Sequence, residues 1–259
     1  MENKSQIAVL SLYSFIEIAE PKLVMEKIFT FCSQHFLKGT ILIAHEGFNG
    51  SVSGSLENVR LLADKITSIT GAKEVMIKVN YCENHPFQKL KVKIKEETIS
   101  LRVGFLDINN LKGEYIETHD WDNFISREDV ILIDTRNYYE VEAGTFKNSI
   151  DPKTDSFKEF PAWVENNKDS FKNKKIAMYC TGGVRCEKST AYLKKLGYNE
   201  VYHLKGGILQ YLEDTNNINN LWHGNCVVFD ERMEVLPNLS PVNVHEIIHS
   251  KQFKAKEHC

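Results

Sequence analysis

The sequence predicts an α/β protein of two domains and a short C-terminal tail, and three observations lead to this prediction. The chain has 259 residues, more than one average domain requires. Strand and helix patterns follow the order β-α-β-β-α-β up to residue 79. After residue 129, short unbroken apolar runs alternate with helical segments, which is typical of a parallel sheet covered on both faces.

The first domain is predicted over residues 1–95 as a ferredoxin-like (acylphosphatase-like) α+β sandwich. Pro21 favours a helix start and Ser55 is a typical N-cap, while Gly39 and Gly71 are placed to end the two helices. The predicted elements are strands at 6–13, 40–44, from Ser51 to Ser53 and at 73–79, a turn at 47–50, and helices after Pro21 and Ser55. Short strand candidates lie at 89–95 and 98–103, and residues 96–128 are predicted as a linker or hairpin.

The second domain is predicted over residues 129–220 and the C-terminal extension over 221–259. Apolar runs at 130–134 and 176–180 suit buried parallel strands, and 200–204 resembles a third. Binding sites of such sheets form at the carboxyl ends of the strands. Cys180 lies at one of these ends, so the sequence directs attention to this residue.

Composition and charge favour a cytoplasmic protein that neither spans a membrane nor has a general affinity for polyanions. The hydrophobic fraction is 42%, and no run approaches the ~18 apolar residues of a membrane span. The N-terminus lacks the pattern of a secretory signal, so a cytoplasmic protein is expected, with its six cysteines as reduced thiols. The net charge of −3 gives no general attraction to polyanions, so nucleic-acid binding would require a local basic patch.

The segment that follows residue 179 carries the strongest chemical signal. Gly182 and Gly183 allow several backbone N–H groups to point at Cys180, and the helix that follows adds its positive end. With the charge of Arg185, such surroundings lower a cysteine pKa from ~8.5 to as little as ~3.5–7.5. The alternative, an inert cysteine at a strand end, fits the glycines and the arginine less well.

The hexapeptide CTGGVR resembles the active-site loop of rhodanese sulfurtransferases, with Cys180 in the persulfide-forming position. Thr181, Gly182, Gly183, Val184 and Arg185 would cradle its anion. Over residues 6–235 the chain is similar to the rhodanese-domain tRNA uridine hydroxylase family. The matching tracts are GTILIAHEGFNG at 39–50, PFQKLKV at 86–92, IDTRN at 133–137, GTF at 144–146, DP at 151–152, FKEFP at 157–161, CTGGVRCEK at 180–188, LKGGIL at 204–209 and CVVFDER at 226–232.

This resemblance implies an enzyme that converts wobble uridine of tRNA to 5-hydroxyuridine and requires the cysteine at position 180. It implies tRNA as the partner and molecular oxygen as co-substrate, and no cofactor is evident. A persulfide or an oxidised sulfur on Cys180 would be the reactive species. One alternative is a sulfurtransferase that carries a persulfide on Cys180. Another is an RNA-binding or regulatory module in which the thiol senses oxidation.

Other residues have two interpretations each. Cys186 is a second thiol, either resolving or relaying sulfur, or a small apolar residue of the first helical turn. Asp134 and Arg136 are expected to support the loop through hydrogen bonds. His45 and Asn49 border a turn, which explains Asn49 without RNA contact.

Lysines alternate with apolar residues at 89–95, so a strand places all of them on one face. They are Lys89, Lys91, Lys93 and Lys95. The resemblance favours RNA phosphates as their target. The pattern alone favours an edge strand that lysines protect against aggregation.

The tail contains His245-Glu-Ile-Ile-His249, which fits the zinc pattern H-E-x-x-H, but a third ligand is not evident. An amphipathic surface helix explains the spacing, and no metal site is predicted. Many family members continue with paired cysteines in C-x-x-C spacing, whereas this chain ends at Cys259. A structural zinc is therefore not expected, and the difference concerns substrate affinity or oligomeric state rather than chemistry at Cys180.

Overall fold

The computed structural model describes residues 6–215 and 220–242. The first domain is a five-stranded sheet with two helices on one face. Its strands are β1 Ile7–Phe15, β2 Lys38–Ala44, β3 Gly47–Gly54, β4 Met76–Cys82 and β5 Leu90–Ile94, and its helices are α1 Pro21–Gln34 and α2 Leu56–Thr70. The strand order is β4-β1-β3-β2-β5, with β5 parallel to β2 and the other pairs antiparallel. The predicted β-α-β-β-α-β sandwich is confirmed, and the strand predicted at 89–95 joins its edge.

Two local predictions in this domain were wrong. Gly39 does not end α1 but lies within β2, where a Cβ would come within 2.2 Å of the Ser51 carbonyl oxygen. The glycine therefore permits a close approach of two strands. The turn between β2 and β3 is His45–Glu46 rather than 47–50, and Gly47 already pairs with Ala44.

The two faces of this sheet differ in character. Apolar side chains point toward α1 and α2 and form the core with them; examples are Leu10, Ile28, Ile41, Val52 and Leu62. The opposite face is mixed, with polar side chains such as Ser11 and Ser51 beside apolar ones such as Tyr13 and Leu42. One line across the five strands, set by the strand registers, runs through Lys78, Ser11, Ser51, Thr40 and Lys91. No helix of the first domain covers this face, and it is turned toward the second domain.

The second domain is built on a four-stranded parallel sheet in the order β6-β10-β9-β7. Its strands are β6 Glu114–Ile116, β7 Val130–Asp134, β9 Lys175–Tyr179 and β10 Val201–Leu204, accompanied by the helices α3 Ile108–Leu111, α4 Thr118–Ile125, α5 Tyr138–Ala143, α6 Phe160–Asn167, α7 Val184–Lys195 and α8 Gly207–Thr215. Two small antiparallel pairs join β8 Gly144–Phe146 to β11 Trp222–Gly224, and β12 Cys226–Val227 to β13 Glu234–Val235. The predicted α/β fold with a parallel sheet is confirmed.

The structure places the domain boundary differently from the predicted linker 96–128. Strand β6 and helix α4 fall within that range but belong to the second domain. Residues 98–103 do not form a strand; Leu101 is instead buried in the core of the second domain. A three-residue strand without an apolar run has too weak a periodic pattern to be recognised in the sequence.

The described part of the predicted extension 221–259 is not a detached tail. Trp222, Cys226 and Val235 are buried in the same core cluster as Phe146 and Leu204. The H-E-x-x-H segment at 245–249 and Cys259 lie outside the described residues. In the part of the chain that the structure describes, no helix combines the length and apolar character needed to cross a membrane.

Candidate active site at Cys180

The loop of Cys180 begins where β9 ends and closes where α7 begins at Val184. The Gly183 N–H donates a hydrogen bond to Cys180 Sγ over 3.1 Å, and Gly183 has φ +96°, which favours glycine. The loop rests on α8, whose Ile208 N–H donates to the Cys180 carbonyl over 3.0 Å. At Gly207, with φ +67°, a Cβ would approach that carbonyl oxygen to 2.5 Å. Gly183 therefore permits the backbone turn within the loop, and Gly207 permits the close approach of α8 to it.

This environment makes Cys180 acidic. Burial raises the pKa of its thiol, but three effects outweigh it and lower the pKa to about 6. These are a hydrogen bond from the Cys186 thiol, the charge of Arg185, and backbone N–H groups of Cys186 and Arg185. Among the described cysteines, Cys180 is the one whose pKa is lowered, since burial raises those of Cys32, Cys82, Cys186 and Cys226. At neutral pH Cys180 is a thiolate.

Arg185 is paired and does not act as a free positive charge. The prediction that its charge acts on Cys180 is corrected in this respect. Its guanidinium makes two 2.7 Å hydrogen bonds to the Glu140 carboxylate and a third, of 3.3 Å, to Thr181 Oγ1. Burial opposes ionisation of Glu140, but Arg185 outweighs it and keeps the pKa of Glu140 low. Both side chains are buried. The pair fixes the loop geometry and leaves only part of the positive charge to act on Cys180.

Sequence reasoning missed Glu140, although a signal was present. Asn137 and Glu140 form a capping box at the start of α5, in the spacing that marks a helix N-terminus. The same Glu140 carboxylate that accepts from the Asn137 N–H also binds Arg185. The cap therefore aims a carboxylate at the loop.

Asp134 and Arg136 lie behind this pair. Both are fully buried, and Arg136 donates to the Asp134 carboxylate through Nε and Nη2 at 2.6–3.1 Å. Its other N–H groups donate to the carbonyl oxygens of Glu140 and Gly144. Arg136 thereby holds the backbone of α5, which in turn carries the Glu140 carboxylate to Arg185. Neither residue hydrogen-bonds to Cys180.

Cys186 lies in the first turn of α7 and is completely buried. Burial and the neighbouring Cys180 raise the pKa of its thiol, so it remains protonated and donates its hydrogen to Cys180. Its Sγ also lies 3.6 Å from Thr135 Oγ1. The second thiol therefore helps to stabilise the thiolate of the first, and its role as a resolving thiol stays a prediction.

Above the loop is a cavity of about 720 Å³. Its floor includes Cys180, which is 1% exposed, and its roof is the uncovered sheet face of the first domain, including Tyr13, Asn49 and Ser51. Asn49 therefore faces the cavity rather than serving a turn, whereas His45 binds the Ile18 carbonyl within the hairpin. Neither domain alone encloses this space.

Helix α7 also joins the two domains. Tyr13 of β1 and Tyr115 of β6 both donate hydrogen bonds to Glu187, over 3.1 and 2.6 Å. The next residue, Lys188, is 2% exposed and binds the carboxylates of Glu46 and Glu97. These contacts hold the sheet of the first domain at a fixed distance from Cys180. Sequence reasoning assigned none of them a role.

Lys91 and Lys93 lie in β5, Lys89 and Lys95 flank it, and all four are exposed. Thr40 pairs with Lys91 and Leu42 with Lys93, so these lysines share the sheet face that forms the cavity roof. Leu90 and Val92 point the other way and pack on the core of the first domain. Within the described residues, none of the four lysines has an ion-pair partner. Nor do any three His, Cys, Asp or Glu side chains there converge to hold a metal ion.

Two family models match the chain, one for each domain. The UPF0176 acylphosphatase-like domain matches residues 7–98, and the rhodanese-like domain matches residues 117–214. A protein of Rickettsia rickettsii, strain Sheila Smith, named tRNA uridine(34) hydroxylase, is 59% identical over 240 residues, which cover 93% of this chain and 97% of that protein. The chain belongs to the tRNA uridine(34) hydroxylase family. A Rickettsia bellii relative of the same name is 57% identical and covers 91% of this chain and 95% of its own length.

Solved structures resemble shorter parts of this family member. A protein of unknown function from Rhodopseudomonas palustris, described as a possible tyrosine phosphatase, is 23% identical with a TM-score of 0.36, and covers 42% of this chain and 86% of that one. A rhodanese-like domain from Anabaena is 16% identical with a TM-score of 0.35, and covers 42% and 78%.

The acidity of Cys180 leads to a pH prediction. Because only the thiolate is alkylated, reaction of Cys180 with iodoacetamide should rise with pH, reach half its maximum near pH 6 and level off above it. In Cys186→Ala, loss of the strongest stabilising hydrogen bond should move the midpoint to higher pH. Cys82→Ala, in the first domain, should leave it in place. Peptide mass spectrometry follows the modification, and a wild-type midpoint near the ~8.5 of free cysteine would contradict the assignment.

Proposed function

We propose that this protein hydroxylates uridine 34 of tRNA to 5-hydroxyuridine in the cytosol, with molecular oxygen as co-substrate and Cys180 as its reactive group. The reaction replaces the hydrogen on uracil C5 with a hydroxyl, a two-electron oxidation of the base. One atom of O2 enters the base, and the other leaves as water after it takes two electrons and two protons from an external reductant. Relatives that carry the name tRNA uridine(34) hydroxylase match 93% and 91% of this chain, and family models match both domains.

One observation carries the proposal: an acidic thiol lies at the floor of a cavity that both domains enclose. Its volume of about 720 Å³ is within the usual range of small-molecule sites and admits a nucleoside. A wobble uridine belongs to a loop, where proteins read unstacked bases individually. The sheet face above and Cys180 below would therefore hold a base extended from the anticodon loop.

The loop from Thr181 to Arg185 keeps negative charge on sulfur. Gly183 donates its N–H directly, and Arg185, held by Glu140, adds partial positive charge. Because Cys180 itself is 1% exposed, a persulfide or an oxidised sulfur would extend from it toward the cavity and meet the base. Asp134 and Arg136 support the loop from behind and take no part in the chemistry.

Because the net charge of the chain is −3, tRNA binding needs a local basic patch. The four lysines at 89–95 form such a patch. Lys89, Lys91, Lys93 and Lys95 border the sheet face over the cavity and are exposed. We propose that they attract the tRNA backbone, each contributing to a salt-dependent affinity.

The test is nucleoside mass spectrometry of unmodified tRNA after incubation with the purified protein, in air and under anaerobic conditions. A reductant and a cellular extract are supplied in parallel reactions, so that a missing accessory factor does not hide the activity. Hydroxyuridine that forms only in air supports the proposal. Its absence in every aerobic reaction, with the protein folded and bound to tRNA, would refute it.

A second candidate, sulfur transfer, rests on the N–H cradle of the loop, which would also hold a terminal persulfide sulfur. In that reaction the Cys180 thiolate takes the outer sulfur of thiosulfate, sulfite leaves, and the persulfide passes to a thiol acceptor. Thiolated uridine, or sulfite release from thiosulfate without hydroxyuridine, would favour this candidate.

A further inference from the structure

A second cavity, of about 480 Å³, adjoins the one over Cys180. Both cavities are lined by Thr40, Phe87 and Phe229, so they lie side by side and meet at these side chains; the two together are called the groove below. The groove leads from Cys180 toward Lys89 and Lys91 on β5, which line the second cavity. Lys93 and Lys95 border neither space.

Phe229 is a large apolar ring at the surface, carried by a backbone segment that hydrogen bonds hold in place. Its side chain is 65% exposed, whereas the Arg185 guanidinium, 5.8 Å from the ring centroid, is buried beneath it. The segment around the ring is tied down on both sides: the Val228 N–H donates to the Met233 carbonyl over 2.8 Å, and the Glu231 N–H donates to the Pro86 carbonyl over 3.0 Å. An exposed aromatic ring beside unpaired lysines offers a face on which a nucleic-acid base can stack.

The charges around the second cavity suit a phosphate. Asp230 is neutralised by its ion pair with Arg232 at 2.5 Å. Glu234 is 9% exposed and accepts a hydrogen bond from Asn225, but has no ion-pair partner among the described residues. Glu231 remains as an exposed acid, against two unpaired lysines. Residues two positions apart on a strand are separated by roughly 7 Å, so Lys89 and Lys91 can grip one phosphate or two successive ones.

We propose that this groove binds the nucleotide next to uridine 34 in the same RNA strand, with its base stacked on Phe229 and its phosphate held by Lys89 and Lys91. Aromatic rings beside a basic groove are the general means by which proteins hold single-stranded nucleic acid. The stacked neighbour keeps the anticodon loop open while uridine 34 enters the cavity over Cys180. This inference rests on the proposed function, since it takes tRNA as the ligand.

The test measures binding of fluorescent anticodon stem–loops to the full-length protein by anisotropy. Three RNAs are compared: the intact loop, and loops with an abasic residue immediately before or immediately after uridine 34. Phe229→Ala and Phe229→Leu should each weaken binding of the intact loop by about tenfold, since both remove the aromatic face. With the abasic loop that lacks the stacked base, both variants should bind as tightly as wild type does.

A matched pair of lysine variants separates direct contact from general attraction. The double change Lys89→Gln, Lys91→Gln should weaken the intact loop about tenfold and lower the slope of log affinity against log salt by about 1–2. The change Lys93→Gln, Lys95→Gln on the same strand should weaken binding less than about threefold.

The inference is wrong if the Phe229 variants bind all three RNAs as tightly as wild type, or weaken all three equally, because Phe229 then has no base partner. It is also wrong if those variants lose activity with unchanged RNA affinity, which would indicate a protein partner in the groove. Binding does not depend on turnover, so base-dependent binding with no hydroxyuridine would refute the proposed function alone. Normal hydroxylation with no effect of Phe229 would refute this inference alone.

Discussion

Cys180→Ser is expected to form no hydroxyuridine above background, a loss of at least about a thousandfold. A serine hydroxyl stays protonated in the surroundings that bring the pKa of Cys180 to about 6, so the variant has no anionic nucleophile. It also forms neither a persulfide nor an oxidised sulfur. Nucleoside mass spectrometry of tRNA, with product counted per enzyme over time, measures the loss.

The same variant should keep its affinity for tRNA, because Cys180 is 1% exposed and the Gly183 N–H can donate to a serine oxygen instead. Cys82→Ala is the control: it removes a thiol from the first domain that lines neither cavity, and should leave the rate nearly unchanged. Hydroxylation by Cys180→Ser at the wild-type rate would rule out sulfur chemistry and leave the cavity as a binding site only.

Arg136→Met is expected to reduce the free energy of unfolding by about 3–5 kcal/mol, since it leaves the buried Asp134 carboxylate without its counter-charge. Both side chains are fully buried, and the carbonyl oxygens of Glu140 and Gly144 lose a donor as well. Urea denaturation, followed by a probe in the second domain, measures the change. Loss of the support behind α5 should also displace Glu140 and raise the midpoint of Cys180 alkylation.

The chain contains an exposed Arg–Asp pair that serves as a control for the buried one. Arg127 and Asp129 have the same two-residue spacing in the opposite order and make two hydrogen bonds, but both are about half exposed, and Asp129 also pairs with Lys175 at 3.1 Å. Arg127→Met should therefore change stability little. The double variant Asp134→Leu, Arg136→Met should recover part of the loss, because the uncompensated charge is removed. Equal effects of the two arginine changes would show that burial does not control the strength of the Arg136 pair.

The sequence by itself determined the two-domain α/β architecture and the position of the reactive thiol. These features are local: apolar runs form buried strands, glycines allow the loop at Cys180, and alternation places Lys89, Lys91, Lys93 and Lys95 on one face of β5. A pattern of this kind depends on neighbours along the chain, so it can be read without the fold. Agreement with a family over most of the chain added the proposed reaction.

The tertiary structure alone decided what surrounds the thiol. Glu140 is 45 residues from Arg185 in the chain, and Tyr13 is 174 residues from Glu187, yet each pair is hydrogen-bonded. Short strand β6 joined the second sheet only through its parallel partner β10. The cavity forms only because α7 of the second domain meets the uncovered sheet face of the first. Local propensity carries no information about such long-range contacts. For that reason the sequence predicted Cys180, and the fold identified the residues that hold and ionise it.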